Sequence, residues 1–477
     1  MQYGLLVDLR TIQDYIFSSN RLKDNIGASY LVKHFFDLDE EGVSQEGFCG
    51  GGNFFRLCQD EDEAKQIIRK LSIKIYEQCP GLSFNACYIP DFDIKDYQNS
   101  MGRLQDKLFI EKNTRLQQTT LPAYGINAQC SASRLSAEII SDITSDQKDL
   151  LSRVVYSKRQ ASAKAVTESQ SLYQEVLGEN FLLPEEFSDL GQDKGNESFI
   201  AVVYIDGNQF GELFRKQNDF EQCKALSERI NKACEQAFTD MLRKAVKEIR
   251  DGKWSHYKKK LSNKDSKFYL PIRPLLIGGD DITFISEGRL GLSLAIEFME
   301  NFSELLQDLD ISSSAGIALA KTNYPFYQVH KLAQQLCSSA KAKRRSENSK
   351  LDFLDFHIIS SSVSQDLEDL RKQNYVLSDG RKLYQRPYSL PDMKKMIENA
   401  DSLSHNWPSS KIKELRSILY QPDEQIKAFE AQRQTRKDLT LPCEGMDSFS
   451  NTLFMGNETI FLDMIEIIEM LPEEDSQ

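Results

Sequence analysis

The sequence has no apolar run longer than about seven residues and no pair of cysteines in the Cys-x-x-Cys spacing. A membrane-spanning helix needs about 20 consecutive apolar residues, so we expect no membrane span. The nine cysteines fit neither a zinc finger nor a disulfide framework, and we expect buried, reduced thiols. The first residues are strand-like and lack the basic region and long apolar stretch of a signal peptide, which predicts a cytoplasmic protein.

An excess of positive charge is also missing, because the formal net charge is −13. Proteins that coat nucleic acid non-specifically need a basic surface, so this function is not expected. One basic stretch remains at 321–350, where seven lysine and arginine residues accompany a single acid, Glu347. The composition, with 40% hydrophobic and 27% charged residues, is that of a globular protein of several domains.

Two segments of the chain show the same predicted order of strands and helices. Residues 3–89 and 199–345 each predict the order β-α-β-β-α-β, which is the ferredoxin-like unit. The region between them and the region after 365 are mostly helical in pattern. The sequence therefore predicts the α+β class, with two ferredoxin-like domains, a helical middle and a helical C-terminal domain. The predicted domains are 1–91 (first unit), 92–198 (middle region and linker), 199–365 (second unit) and 366–477 (C-terminal domain).

Acidic residues follow two strand-like runs of the second unit. The apolar run 199–205 ends at Asp206, and the run 274–277 leads into Gly278-Gly279-Asp280-Asp281. These strands are neighbours in a ferredoxin-like sheet, so we expect the carboxylates to face one point. Mg²⁺ (or Mn²⁺) prefers hard oxygen ligands, and a pair of such cations can clamp a nucleoside triphosphate. Asp206, Asp280 and Asp281 are therefore the predicted metal ligands, and Asp280 and Asp281 the predicted catalytic residues.

Glycines and a lysine complete the predicted site. Gly278 and Gly279 let a phosphate or base approach the backbone closely, and Lys341 can neutralise charge on a leaving pyrophosphate. Arg344 or Arg345 could serve the same purpose. Each feature alone has a simpler explanation, because Gly-Gly-Asp is a common hairpin turn, an aspartate can cap a helix, and a lysine near a helix end complements the helix dipole.

At these residues the sequence resembles the large polymerase/cyclase subunit family of type III CRISPR effectors. The resemblance spans most of the chain and is strongest over 199–345. Residues 12–17, 27–29 and 50–54 are similar to the family's first palm domain. Residues 204–211, 277–281 and 313–318 are similar to its second palm domain. Residues 386–389 are similar to the start of its C-terminal domain.

The resemblance implies a function, because family members join ATP into cyclic oligoadenylates or related cyclic nucleotides that switch on defence effectors. It implies ATP as the substrate, metal binding by Asp206 and Asp281, and phosphate binding by Lys341. The resemblance also implies that three further residues of the matching motifs belong to the nucleotide-binding surface, namely Gly207, Asn208 and Ser314.

Two departures from the family pattern limit the resemblance. The first palm carries Gly-Gly-Gly-Asn at 50–53 in place of an acidic hairpin, so we expect it to be degenerate and to form the opposite wall of a pocket. A His-Asp nuclease domain and a four-cysteine zinc site have no counterpart in this sequence. The chain therefore resembles a compact or stand-alone relative, and RNA or CRISPR-type protein partners remain open, as does the oligomeric state.

Two other functions remain as alternatives. One is a non-catalytic nucleotide- or RNA-binding subunit of a CRISPR-type effector complex. The clustered carboxylates disfavour it, because they repel one another and a scaffold has no need of them. The other is a diguanylate cyclase, whose hairpin motif is related. Here the motif continues with Asp281-Ile282, and the duplicated unit does not suit that family.

Overall fold

The first unit of the chain is a four-stranded antiparallel sheet with helices. The computed structural model describes residues 2–37, 47–114, 125–144, 147–190, 199–254, 257, 259–260, 267–279, 281–359, 366–435 and 439–472. The strand order β2-β3-β1-β4 is that of a ferredoxin-like sheet. Its elements are β1 (Tyr3–Arg10), α1 (Ile12–Phe17), α2 (Leu22–Lys33), β2 (Gly47–Gly50), β3 (Asn53–Cys58), α3 (Glu61–Glu77) and β4 (Ser83–Ile89).

The middle region joins the two units. It holds a two-stranded hairpin, β5 paired with β6, that the sequence pattern does not predict. α4 packs against β4 and β1 of the first sheet, and α5 packs along α2. Its elements are α4 (Tyr97–Thr114), β5 (Ile139–Thr144), β6 (Gln147–Leu151), α5 (Arg153–Leu172), α6 (Gln174–Leu177) and β7 (Phe181–Leu182).

The second unit is a larger sheet with the strand order β11-β12-β8-β13-β14-β15. β14 runs parallel to β13 and extends the ferredoxin-like arrangement by one strand. The elements of this unit are β8 (Phe199–Asn208), α7 (Phe210–Arg215), α8 (Phe220–Arg250), β9 (Lys259–Lys260), β10 (Phe268–Tyr269), β11 (Ile272–Gly278), β12 (Asp281–Glu287), α9 (Gly291–Leu305), β13 (Ser312–Lys321), α10 (Phe326–Ser346) and β14 (Phe353–Ile358).

The C-terminal region is helical and shares its core with the second unit. Its short strand β15 pairs with β14, and apolar residues of both regions form one cluster. A buried ion pair between Arg386 and Asp463 lies in the C-terminal region. The elements are α11 (Leu367–Tyr375), β15 (Tyr388–Ser389), α12 (Leu390–Asn406), α13 (Ser409–Ile418), α14 (Asp423–Gln434) and α15 (Phe461–Met470).

The local sequence explains where the longest described helix, α8, begins and which of its faces is buried. The Asp219 side chain accepts a hydrogen bond from the backbone N–H of Gln222 at 2.8 Å, which satisfies one of the free donors at the helix N-terminus. Apolar residues then recur at helical spacing from Phe220 to Ile249 and are buried. From Leu226 onward this stripe packs on one face of the second sheet, whereas Phe220 and Cys223 pack against the first unit.

The second sheet is buried on both faces, because alternate side chains of its strand β8 lie in two different apolar clusters. Ala201, Val203 and Ile205 belong to the cluster that contains α8 and α9. Ile200, Val202 and Tyr204 point the other way, into a cluster formed with α10 and with the first unit. Side chains alternate between the faces of a strand. Asp206 therefore shares its face with Tyr204, toward α10 and the first unit.

The two units are duplicates in register as well as in element order. Asp8 pairs with Asn53 in the first sheet, as Asp206 pairs with Asp281 in the second. The last paired residues are Gly50 and Asn53 in the first hairpin and Gly278 and Asp281 in the second, so two residues lie between them in each. In both units the first strand enters the first helix through a residue in the left-handed region, with φ of 52° at Thr11 and 65° at the corresponding position of the second unit.

The α+β class with two ferredoxin-like units, predicted from the sequence, is confirmed. All nine cysteines are free, and eight are buried; Cys49 is exposed, against expectation. Within the described ranges, no helix is long and apolar enough to span a bilayer.

Candidate active site

Asp206 and Asp281 lie directly opposite each other on β8 and β12. Opposing residues of antiparallel strands have Cβ atoms about 4.5–5.5 Å apart, and both side chains point to the same face. The spacing suits shared cations about 4 Å apart. The sequence argument required this proximity, and the structure provides it.

Two side chains hold the carboxylate of Asp281. The Tyr204 hydroxyl donates to Oδ1 at 2.8 Å, and the amide of Gln13 donates to Oδ2 at 3.4 Å. Burial, and then the charges of Asp281 and Asp206, raise the pKa of Tyr204 well above its ordinary value. The phenol therefore stays protonated and remains a donor. Because Gln13 lies on α1, the first unit contributes directly to this site.

Lys341 pairs with Asp206. The ammonium nitrogen lies 2.6 Å from Oδ2, and the side chains are 20% and 25% exposed. Lys341 lies on α10, which packs against β13 and β8. Gly316 permits this close packing, since a Cβ atom there would lie 2.0 Å from the carbonyl oxygen of Ala333. The helix thus brings a cation to the carboxylate across a short, partly exposed gap.

The second hairpin presents an open backbone. A Cβ atom at Gly278 would meet no atom of the described residues within 4 Å, which leaves room for a ligand to approach the backbone. Gly279 has φ of +64°, a conformation that favours glycine. Its N–H donates to the side chain of Asn231 at 2.7 Å. A Cβ atom built on Gly279 would lie 3.6 Å from the backbone of Gly51 in the hairpin of the first unit. The hairpins of the two units therefore face each other.

The structure brings Asn208 and Ser314 together, but inside the protein. Both are buried, and the Asn208 amide donates to the hydroxyls of Ser312 and Ser314, each at 3.1 Å. Gly207 is required by packing, because a Cβ atom there would lie 1.6 Å from Cε2 of Phe210. These contacts fix the end of β8 beneath Asp206. The predicted contribution of the three residues to nucleotide binding stays a prediction.

Asp280 lies outside the described residues. Among the residues that are described, no cluster of three or more histidine, cysteine, aspartate or glutamate side chains could hold a metal ion. Asp206 and Asp281 supply two hard oxygen donors on one face, a donor set that fits Mg²⁺ or Mn²⁺. The remaining ligands would be water molecules, several of which Mg²⁺ usually keeps, and oxygens of the substrate phosphates.

Lys341 is the cation of the basic stretch that the structure shows paired with an acid of the site. Arg344 is 6% exposed and donates to the backbone carbonyl of Ser349 at 2.9 Å, so it closes the end of its own helix. Lys343 pairs with Glu347 at 2.9 Å, and Arg345 is exposed. The suggestion that Arg344 could substitute for Lys341 does not fit this burial.

Sequence reasoning missed Gln13, Tyr204 and Asn231 as residues of the site. Tyr204 carried a usable signal, because it stands two positions before Asp206 and so shares its face. Gln13 and Asn231 carried none, since the first is 268 positions from its partner and the second is 48 positions away.

The first unit retains a related arrangement at the corresponding positions. Lys112 lies 2.8 Å from Oδ2 of Asp8, as Lys341 does from Asp206. Both lysines lie on the helix that follows the fourth strand of their unit. The residue opposite Asp8 is Asn53, so this unit lacks the second carboxylate. Gly52 and Asn53 of the first unit stand where the second unit has Asp280 and Asp281, so the first unit lacks both acids of that motif.

Comparisons with known proteins agree with this geometry. Residues 199–350 match the family model described as Cas10/Cmr2, second palm domain. This segment is similar to that domain and contains both Asp206 and Lys341. The resemblance to the palm-domain subunit of type III CRISPR effectors, predicted from the sequence, is confirmed at this level. No curated protein matches the sequence.

Solved structures share the fold of the whole chain. A chain from a Csm1–Csm4 cassette in complex with cA4 is 13% identical, with a TM-score of 0.60, and the match covers 99% of this chain and 70% of that one. The apo cassette gives a TM-score of 0.57 at 13% identity, with 99% and 70% coverage. A Csm1–Csm4 subcomplex of the type III-A CRISPR-Csm interference complex gives 0.57 at 13%, with 98% and 69% coverage.

Proposed function

We propose that this protein is a Mg²⁺-dependent nucleotidyltransferase that makes a cyclic nucleotide or oligonucleotide messenger from ATP in antiviral defence. The observation that carries the proposal is the Asp206–Asp281 pair at the end of two neighbouring strands, beside the open backbone of Gly278. Similar folds crystallised with cA4, pppApA and AMPPNP support ATP as the substrate.

The proposed reaction is the attack of a ribose hydroxyl on the α-phosphate of a second ATP. A new phosphorus–oxygen bond forms, the bond to the β-phosphate breaks, and pyrophosphate leaves. The hydroxyl proton passes to a carboxylate of the second hairpin, Asp280 or Asp281. Bound at Asp206 and Asp281, Mg²⁺ would offset charge on the phosphate oxygens and favour ionisation of the attacking hydroxyl.

Lys341 has two states in this proposal. Without a cation it neutralises Asp206, which limits the repulsion between the two carboxylates. When a nucleotide binds, its ammonium turns to a phosphate oxygen and stabilises the charge of the leaving pyrophosphate. The 2.6 Å contact with Asp206 places the ammonium beside the acids in the first state.

Tyr204 and Gln13 are positioning residues for Asp281. Their two hydrogen bonds fix both carboxylate oxygens, so little reorganisation accompanies ligand binding. Because Gln13 lies on α1, its hydrogen bond to Asp281 forms only when the two palms are packed together.

We also propose that the chain assembles with CRISPR-type protein partners. The support is the similarity in fold to chains of Csm1–Csm4 complexes. The alternative of a non-catalytic subunit makes a different prediction, namely that the assembled chain binds nucleotide without turning it over.

Purified protein, alone and with target RNA and effector partners, should release pyrophosphate from ATP and Mg²⁺. The double variant Asp280→Ala/Asp281→Ala should release none, whereas Asp308→Ala, an exposed acid elsewhere on the second palm, should release it normally. GTP in place of ATP separates the proposal from a diguanylate cyclase, and mass spectrometry identifies the product. Release that is unchanged in the double variant would overturn the proposal.

A further inference from the structure

Arg273 is a buried cation whose side chain has little to bind. It lies on β11, the strand that leads to Gly278, and it is 1% exposed. Nη2 is 3.4 Å from the Ser169 hydroxyl, which is a long contact. Nε and Nη1 have no hydrogen-bond partner among the described residues. Burying a charge costs free energy unless the charge is paired and hydrogen-bonded. A bound anion would offset this cost for the Arg273 guanidinium.

The Arg273 side chain lines a cavity of about 80 Å³. A single water molecule needs about 10–15 Å³ measured in this way, so the cavity has room for a small ligand group. Four parts of the chain line it, one of them α8 through Glu235. Ser29 and Lys33 come from α2 of the first unit, Ser169 comes from α5 of the middle region, and Leu275 comes from β11 beside Arg273.

The acidic residues around the cavity are not bound to Arg273. Glu168 receives hydrogen bonds from Lys33 and from His34, each at 2.8 Å. Glu235 is exposed at the rim. Glu185 acts on Arg273 only through its charge and lies 3.5 Å from Lys23. Burial lowers the pKa of Arg273 to about 10, so the side chain is still charged at neutral pH.

We propose that this cavity is an oxyanion site, in which Arg273 binds the phosphate or carboxylate group of a small ligand. The planar fork of a guanidinium matches the two oxygens of such a group. This site is separate from the acidic pair and does not depend on the proposed function.

A bound oxyanion would connect the first unit, the middle region and the second sheet. β11 is the edge strand of that sheet. Its backbone carbonyl at Leu275 accepts a hydrogen bond from the Ser29 hydroxyl, so α2 already covers this edge. The register of β11 also shifts between Pro274 and Leu276. The ligand would lie against this irregular part of the strand, on the approach to the Gly278 hairpin.

Equilibrium dialysis of the full chain in EDTA, at constant ionic strength in chloride, tests the site. Radiolabelled inorganic phosphate, acetate and AMP are used in separate arms, which distinguish a free phosphate from a carboxylate and from an esterified phosphate. We expect saturable binding of a single oxyanion per chain in at least one arm. A wild-type chain that retains none of the three would overturn the proposal.

Two variants locate the bound anion. Arg273→Gln should lower the affinity by about tenfold or more, because it removes a charge-assisted bidentate contact. Ser169→Asp places a tethered carboxylate beside the guanidinium, so it should also abolish binding; it decides the question if Arg273→Gln does not fold. Ser171→Asp is the matched control, since it makes the same change at an exposed position of the same helix.

The control separates the effect of the added charge from the effect of its position. Ser171→Asp should bind the anion as the wild type does. Binding that survives Arg273→Gln or Ser169→Asp, or binding that is lost in Ser171→Asp, would contradict the assignment. Neither result depends on whether the protein turns over ATP.

Discussion

The ammonium group of Lys341 lies 2.6 Å from a carboxylate oxygen of Asp206, on the face where Asp206 stands opposite Asp281. An internal cation therefore pairs with a carboxylate that, in the proposed function, would bind a divalent cation. The same pairing recurs between Lys112 and Asp8 in the first unit. We take the ion pair to be the resting state of a site that exchanges an internal cation for Mg²⁺ and nucleotide.

The first prediction concerns Lys341→Gln. Removing the competing ammonium should raise the affinity of Asp206 and Asp281 for Mn²⁺ in the absence of nucleotide, by up to about fivefold, the equivalent of about 1 kcal/mol for a partly exposed pair. Pyrophosphate release should fall, because the leaving group loses its cation. Lys343→Gln, on the same helix but paired with Glu347, should change neither quantity. A decrease in Mn²⁺ affinity would contradict the competition.

The second prediction concerns Tyr204→Phe, which removes the hydroxyl that donates to Asp281 at 2.8 Å. We expect the rate of pyrophosphate release to fall about tenfold, while the free energy of unfolding changes by no more than about 1.5 kcal/mol. Steady-state kinetics and urea unfolding separate the two effects. Tyr327→Phe, at an exposed tyrosine, is the control. An unchanged rate would show that the hydroxyl does not position Asp281.

The third prediction concerns Asn231→Ala, which removes the acceptor of the Gly279 N–H. The turn should lose about 1 kcal/mol of stability, and ATP should bind more weakly because the hairpin backbone is less fixed. Lys232→Ala changes the next, exposed residue of the same helix and should leave both unchanged. Calorimetric titration with a non-hydrolysable ATP analogue measures the binding. Equal affinities in the two variants would rule out this support.

The fourth prediction concerns the pH dependence of stability at His330. Burial lowers the pKa of His330 to about 3, below its ordinary value of about 6.5. As the pH falls below 6.5, the unfolded chain binds a proton that the folded chain does not. The wild type should therefore lose about 1.4 kcal/mol of unfolding free energy by pH 5.5, relative to His330→Leu. His405→Leu, at an exposed histidine, should show no such difference.

Urea unfolding at pH 7.5 and 5.5 measures this difference. A loss at pH 5.5 that is the same in the wild type and in His330→Leu would contradict the buried neutral state. His330 stacks on Phe17 of the first unit, with ring centroids 3.7 Å apart, and its edge contact with Tyr204 has centroids 5.9 Å apart. The test therefore reports on the packing between the two units behind Asp281.

The parts of the site that the sequence predicted are those governed by local rules. Asp206 follows an apolar run and Asp281 follows a glycine turn, so strand ends and hairpin closure could be located by pattern alone. Their pairing followed from the strand order of a ferredoxin-like unit. The duplication was also visible, although only as an order of elements.

The parts that the sequence could not predict depend on tertiary packing. The Gln13 and Asn231 contacts join distant positions, and no local pattern encodes them. Arg344 looked like a free cation but turns to the end of its own helix. Asn208 and Ser314 looked like surface polar residues, yet they satisfy each other in the interior. Parallel β14 carried too little alternation to predict, because it is almost entirely buried.

The most direct test of the central claim is the binding of Mn²⁺, measured by electron paramagnetic resonance with a non-hydrolysable ATP analogue present. This measurement needs no turnover and no activator. We expect Asp206→Asn and Asp281→Asn each to weaken Mn²⁺ binding by about tenfold or more, because each removes a charged oxygen ligand. Asp308→Asn should bind Mn²⁺ as the wild type does. Wild-type affinity in both Asp206→Asn and Asp281→Asn would contradict the account.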